Sequence, residues 1–238
     1  MLREARMKVG RVDGDFRWRG GEVSRLEGFS DAVFGFALTL LVVSLEVPRT
    51  FAQLAETMRG FFAFAFSFAL LLVVWEKHYR FFRRYGLQDG TTVLLNSLLL
   101  FVVLFYVYPL KFVSTAFIEG VLFRRRGVVV EASEVPALFT IYGAGYVAIF
   151  AIYSALYLHA RSKRHALELS PFESALTDAE IAHHALLCAI GLLAIALARL
   201  LPIEIAGLSG FTYVLIGAVE SWHGAREGRM RRELSGSG

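Results

Sequence analysis

Apolar residues along this chain come in long blocks that charged residues interrupt only at the ends. Residues 32–45, 60–75, 91–110, 135–160, 181–198 and 205–219 contain no Asp, Glu, Lys or Arg. A helix needs roughly 20 mainly apolar residues to cross a bilayer, and each block reaches that length once its flanks are added. The pattern predicts six transmembrane helices and an all-α integral membrane protein. The first block is the shortest, and extending it to 29–47 places a carboxylate, Asp31, in the first turn of a membrane helix.

Turn chemistry marks the boundaries. Pro48 ends the first helix, Thr50 is an N-cap for the second, and Gly86 closes the basic exit of that helix. Trp75, Tyr79 and Tyr85 cluster there, as in an interfacial aromatic belt. The third span carries Asn96 in its first third and Pro109 towards its end. A polar connection over 119–134 suggests a hairpin around Arg126-Gly127. Gly143 and Gly145 permit close helix approach in the fourth span, and Leu201-Pro202-Ile203-Glu204 predicts a tight hairpin of spans five and six. The expected organisation is a cytoplasmic tail over 1–24, described as mobile or surface-lying, a six-helix membrane domain over 25–223, and a basic tail over 224–238 that ends in a linker-like Ser-Gly-Ser-Gly. There is no internal repeat of the kind that builds many transporters, no TVGYG filter, and no Walker A, GxSxG, HExxH or paired CxxC motif.

Composition agrees with burial in lipid. Hydrophobic residues make up 56% and charged residues only 19%, against about a quarter charged in soluble domains. The net charge of +4 is placed on particular loops. Arg3, Arg6, Lys8, Arg11, Arg17, Arg19 and Arg25 precede the first span. Lys77, Arg80, Arg83 and Arg84 follow the second; Arg161, Lys163 and Arg164 follow the fourth; Arg226, Arg229, Arg231 and Arg232 follow the sixth. The positive-inside rule then puts both termini in the cytoplasm of a multi-pass plasma-membrane protein, with Arg124, Arg125 and Arg126 as the one contrary cluster. No basic face with interleaved aromatics points to nucleic acid. Cys188 alone supports neither a disulfide framework nor a cysteine metal site.

On a helical wheel at about 100° per residue, Ala32, Phe36, Thr39, Leu40, Val43 and Val47 form one stripe, and Asp31 lies about 140° from Phe36. The plain reading of the stripe is helix packing, with the Thr39 hydroxyl bonded to its own backbone. An ionised Asp facing lipid costs at least about 2.5–3.5 kcal/mol, so Asp31 is expected to face other helices and hold polar partners. Arg25, His78 and Asn96 are the candidates at similar depth. The two uses for Asp31 with Arg25, Ser30, His78 and Asn96 are a structural polar network that fixes the rotation of the first helix, and a proton path.

Arg25-x-x-x-Phe29-Ser30-Asp31, followed by the run from Phe36 to Val42, resembles the signature that opens the transmembrane protein 175 family of potassium channels. His78 after Trp75, Asn96, and Tyr108-Pro109 continue the resemblance over roughly residues 25–115. It implies a homotetramer of six-helix units around a central pore lined by the first helix, closed by apolar side chains and permeated by potassium. Phe36 then stands at the main constriction, where the family usually has isoleucine or leucine. Thr39 matches the hydroxyl position, and Leu40 and Val43 fall near further apolar layers.

The histidines suggest no metal: His183 and His184 are adjacent and point about 100° apart on a helix, so they read, with His223, as interfacial. Ser209 lacks the setting of a hydrolase nucleophile, and Glu220 reads as interfacial. The sequence therefore predicts a passive, non-enzymatic potassium or cation channel without cofactor. The alternative is a proton-coupled secondary carrier in which Asp31 and His78 titrate.

Overall fold

The computed structural model describes residues 12–13, 16–43, 48–121 and 130–235. A two-residue strand pair opens it, β1 (Val12–Asp13) antiparallel to β2 (Phe16–Arg17). Six helices follow among the described residues: α1 (Arg25–Val43), α2 (Phe51–Tyr85), α3 (Gly90–Val121), α4 (Val135–Ser162), α5 (Pro171–Leu200) and α6 (Leu215–Ser235). A single 3₁₀ turn, Ala132–Glu134, leads into α4, and a longer 3₁₀ stretch, Ile203–Val214, leads into α6. The last five helical segments are each long and apolar enough to cross a membrane. The hairpin expected around Arg126-Gly127 lies outside the described residues.

Local chemistry explains the boundaries. Thr50 accepts a hydrogen bond from the Gln53 N–H while the Gln53 side chain accepts from the Thr50 N–H, a capping box that satisfies two otherwise unpaired donors. Ser170 and Glu173 do the same for α5, with Pro171 at its first position. At the exit of α2, Gly86 adopts φ 60°, and its N–H closes on the Phe82 carbonyl at 2.9 Å. A side chain at Gly86 would be strained by that φ and would also meet the Arg19 carbonyl at 2.9 Å.

That contact belongs to a strap. Residues 16–24 are seated across one end of the bundle. Phe16 is buried edge-on against Tyr85, the Arg19 and Gly20 N–H groups reach the Arg83 carbonyl at 3.1 Å, and Arg19 forks onto Glu173 at 2.7 and 2.9 Å. Asp89 joins the neighbouring links: it accepts from the Thr92 N–H at 2.9 Å, holds Lys163 at 2.6 Å, and meets His159 at 2.9 Å. The Lys163 ammonium pulls the Asp89 carboxyl well below the usual carboxylate range.

Two sequence-based boundaries shift. The first half of the sixth span is 3₁₀, not α, because Ser209 and Thr212 each donate to the carbonyl three residues back at 2.7 Å and Gly207 and Gly210 dilute helix propensity. At its other end α6 continues to Ser235, so the described part of the basic tail after residue 223 is helical.

The buried core joins Phe81, Tyr85, Leu99, Val103, Tyr153, Leu156, Tyr157 and Leu187. Around it the outer surface is apolar: Leu94, Phe101, Phe105 and Phe66 are exposed. A soluble protein seldom exposes so continuous an apolar surface, whereas a bilayer solvates it.

Candidate functional site

α1 begins with its own capping box. The Ser24 hydroxyl accepts from the Glu27 N–H at 3.1 Å, and the Glu27 carboxylate accepts from the Ser24 N–H at 2.9 Å. Glu27 also faces Arg83 at 3.6 Å, which ties the start of α1 to the end of α2.

One side of α1 is packed. Glu27, Ser30, Phe34, Ala37 and Leu41 are buried. Ser30 donates to the Leu26 carbonyl at 2.8 Å and accepts from the Asn96 amide at 2.9 Å, and the Asn96 carbonyl oxygen meets His78 Nε2 at 2.9 Å. All three side chains are buried, and Phe34 and Phe82 enclose the His78 ring. The chain Ser30–Asn96–His78 thus joins α1, α3 and α2 with each polar group paired, the condition under which a buried network fixes one arrangement.

The other side is open. Gly28, Phe29, Asp31, Ala32, Gly35, Phe36, Thr39 and Val42 are exposed, Phe36 at 68%. On the wheel this arc spans about 160°, with Asp31 at one margin and Phe29 at the other. Thr39 sits at its middle, and Phe36 about 20° from the Phe29 margin. Leu40 lies off this face, half-buried against the core, and Val43 ends α1 with its side chain outside the described residues. The Thr39 hydroxyl donates to the Phe36 carbonyl at 2.7 Å, which leaves its oxygen lone pairs available on the open face.

Asp31 does not join the buried chain. It accepts from the Trp75 indole N–H at 2.8 Å, and none of Arg25, His78 or Asn96 is its hydrogen-bond partner. Arg25 and Phe29 are exposed at the first turns. Burial of Ser30 and Asn96 leaves no room on that side, and the 140° offset turns Asp31 towards the margin where α2 presents its indole. Trp75 was legible only as an interfacial aromatic. Also missed was Lys111, whose ammonium donates to the Leu41 carbonyl at 2.9 Å near the other end of α1.

A second polar cluster lies between α5, α6 and the exit of α2. His183 and His184 are buried inside the helix bundle. They do point apart: His184 Nδ1 meets the Glu180 carbonyl at 2.7 Å and stacks on Tyr157, while His183 stacks on His223 of α6 with ring centroids 4.2 Å apart. Glu180 binds Arg84 at 2.8 Å and faces both rings. The missed signal was Glu180-x-x-His183, which puts a carboxylate and an imidazole on one helix face.

Five helical segments long and apolar enough to cross a membrane, together with α1 packed on one side and open on the other, define a helical membrane protein. The profile of a family described as the endosomal/lysosomal potassium channel TMEM175 matches residues 25–106. A potassium channel from Marivirga tractuosa is 39% identical over 215 residues, covering 86% of this chain and 87% of its own. The potassium channel Cha6605_3372 from Chamaesiphon minutus is 31% identical over 147 residues, or 58% of this chain and 66% of its own. Among solved structures, a variant of the potassium channel MtTMEM175 superposes with a TM-score of 0.80 at 35% identity, covering 93% of this chain and all of that one. A lysosomal potassium-selective channel TMEM175 homolog from Chamaesiphon minutus superposes at 0.55 and 25% identity, covering 84% and 96%. The chain belongs to the TMEM175 family.

Proposed function

We propose that the chain is a potassium-conducting channel in which four copies place the open face of α1 around a shared pore. The observation that carries this reading is the exposed α1 face itself. It holds Asp31, Gly28, Gly35 and Thr39 together with Phe36. A carboxylate turned to lipid costs at least about 2.5–3.5 kcal/mol, so this face suits water or another copy of the chain better than acyl chains.

In this arrangement Phe36 supplies a ring of apolar side chains that controls wetting, and Thr39, one turn on, supplies oxygen atoms to a partly dehydrated cation. Leu40 packs behind the ring, and Val43 extends the lining. The Ser30–Asn96–His78 chain and the Asp31–Trp75 bond set the rotation of α1 and so decide which side chains meet the ion. Permeation is passive, without cofactor or enzymatic step. The basic residues at the ends of α2, α4 and α6 favour both termini in the cytoplasm of a plasma-membrane channel. The carrier reading gains nothing from the geometry, since Asp31 and His78 hold separate partners.

The test is potassium flux down a gradient in liposomes holding the purified chain, with oligomer mass measured in parallel. Wild type is expected to exceed empty liposomes, Phe36→Ala to exceed wild type, and Phe101→Ala on the outer surface to match it. Folded tetramers that pass no potassium in any variant would contradict the proposal.

A further inference from the structure

We propose that Glu180, His183 and His223 form a binding site for a zinc-class divalent metal ion that joins α5 to α6. One ligand atom from each residue lies within 4.8 Å of the other two. Glu180 Oε2 stands 3.9 Å from His183 Nδ1 and 3.6 Å from His223 Nε2. Bonds of about 2.0–2.1 Å in a tetrahedral site put neighbouring ligand atoms about 3.3 Å apart, so loading requires the two carboxylate–imidazole pairs to close by about 0.3 and 0.6 Å and the two rings to reorient.

A second observation is independent of this spacing. The His183 and His223 side chains are only 1% and 8% exposed, and all four of their ring nitrogens lack a hydrogen-bond partner among the described residues. Buried polar groups are as a rule paired. Binding one ion requires the two rings, stacked at 12°, to turn so that an in-plane nitrogen of each converges beside the carboxylate oxygen.

The surroundings complete it. Arg84 donates to Glu180 Oε1 at 2.8 Å, which leaves Oε2 for the ion. Glu220 Oε1 lies 3.2 Å from His183 Nε2, close enough to accept its proton once the ring turns, and Lys77 donates to the same oxygen at 3.4 Å. A carboxylate behind a metal-bound histidine fixes its tautomer and orientation. His184 takes no part. Two imidazoles and one carboxylate suit zinc or a late transition metal, whereas magnesium and calcium prefer an all-oxygen shell. Because His223 is on α6 and Glu180 is tied to α2 through Arg84, the bound ion clamps the last helix to the bundle. The site is separate from α1, so it stands or falls independently of the pore.

The experiment is equilibrium dialysis of tag-free, full-length protein in detergent against zinc, with bound metal counted by mass spectrometry and magnesium as a parallel probe. The expected result is about one zinc per chain and no magnesium. His223→Ala and His183→Ala should abolish zinc retention, Glu220→Gln should weaken it about 10–100-fold, and exposed His165→Ala should leave it unchanged. Equal zinc in wild type and both histidine variants would overturn the site, as would none in wild type. Should the variants fail to fold, the visible spectrum of cobalt-loaded wild type decides. Intense bands of four- or five-coordinate cobalt support the site, and the weak spectrum of hydrated cobalt contradicts it.

Discussion

The Trp75 indole N–H donates to the Asp31 carboxylate at 2.8 Å, across 44 positions of sequence, and so links α2 to the margin of the open α1 face. The bond gives the carboxylate a directional partner at the point where α1 turns from packed to exposed. Trp75→Phe keeps the aromatic packing on Tyr79 and removes only the donor. A hydrogen bond to a charged group contributes about 1.5–3 kcal/mol when protected, and the exposure of this pair places the expected loss at the lower end. Thermal unfolding in detergent should show that loss, and potassium flux should change with it. Unaltered melting and flux in both Trp75→Phe and Asp31→Asn would remove the orienting role.

Asn96 is the centre of the buried chain, bonded to Ser30 on one side and His78 on the other. Asn96→Leu should strand His78 Nε2 at a cost of about 1–3 kcal/mol, while Ser30 keeps its bond to the Leu26 carbonyl and loses only an accepted one. Ser30→Ala should cost less, since His78 keeps its partner. Denaturation midpoints of the two variants check the order; a larger loss in Ser30→Ala would contradict it.

The six apolar blocks, the Thr50 cap and the Gly86 stop were legible because each depends on residues within one or two turns. Lipid makes the block signal stronger still, since every backbone group must be paired inside its own helix. The partners of Asp31 and His183 were not legible: each is a side chain from another helix, and spacing along one helix says only which way a residue points. The same limit hid the strap, where burial of Phe16 depends on Tyr85 and Arg84 lying beneath it.

Close helix contact at α4 and α5 depends on glycines. A methyl at Gly143 would meet Ile195 Cγ1 at 2.6 Å, one at Gly191 would meet Val147 Cγ2 at 2.6 Å, and one at Gly145 would overlap the Tyr106 ring. Gly191→Ala should destabilise by about 1–3 kcal/mol through overpacking. Gly217→Ala, where the methyl meets nothing, should be neutral or slightly stabilising. Melting temperatures of the pair provide the check.

Asp89 predicts an acid sensitivity. Its folded-state pKa is lowered, chiefly by Lys163. The stability it contributes is therefore fully present above the ordinary carboxylate pKa of about 4 and is lost as the pH falls below that towards the lowered value. Asp89→Ala, which also removes the cap on Thr92, should cost about 0.5–2 kcal/mol at neutral pH. It should also flatten the acid limb of the stability curve. An acid limb as steep as that of wild type would contradict this assignment.

The central claim is that the Phe36 face of α1 lines the conducting path. The most direct measurement is thiol block of potassium flux in liposomes, in a Cys188→Ser background that removes the native thiol. One cysteine is introduced by Phe36→Cys and, separately, by Phe101→Cys on the outer surface. The account predicts that a small charged thiol reagent stops flux at position 36 and leaves it intact at position 101. Labelling at position 36, verified by mass, with undiminished potassium flux would contradict it.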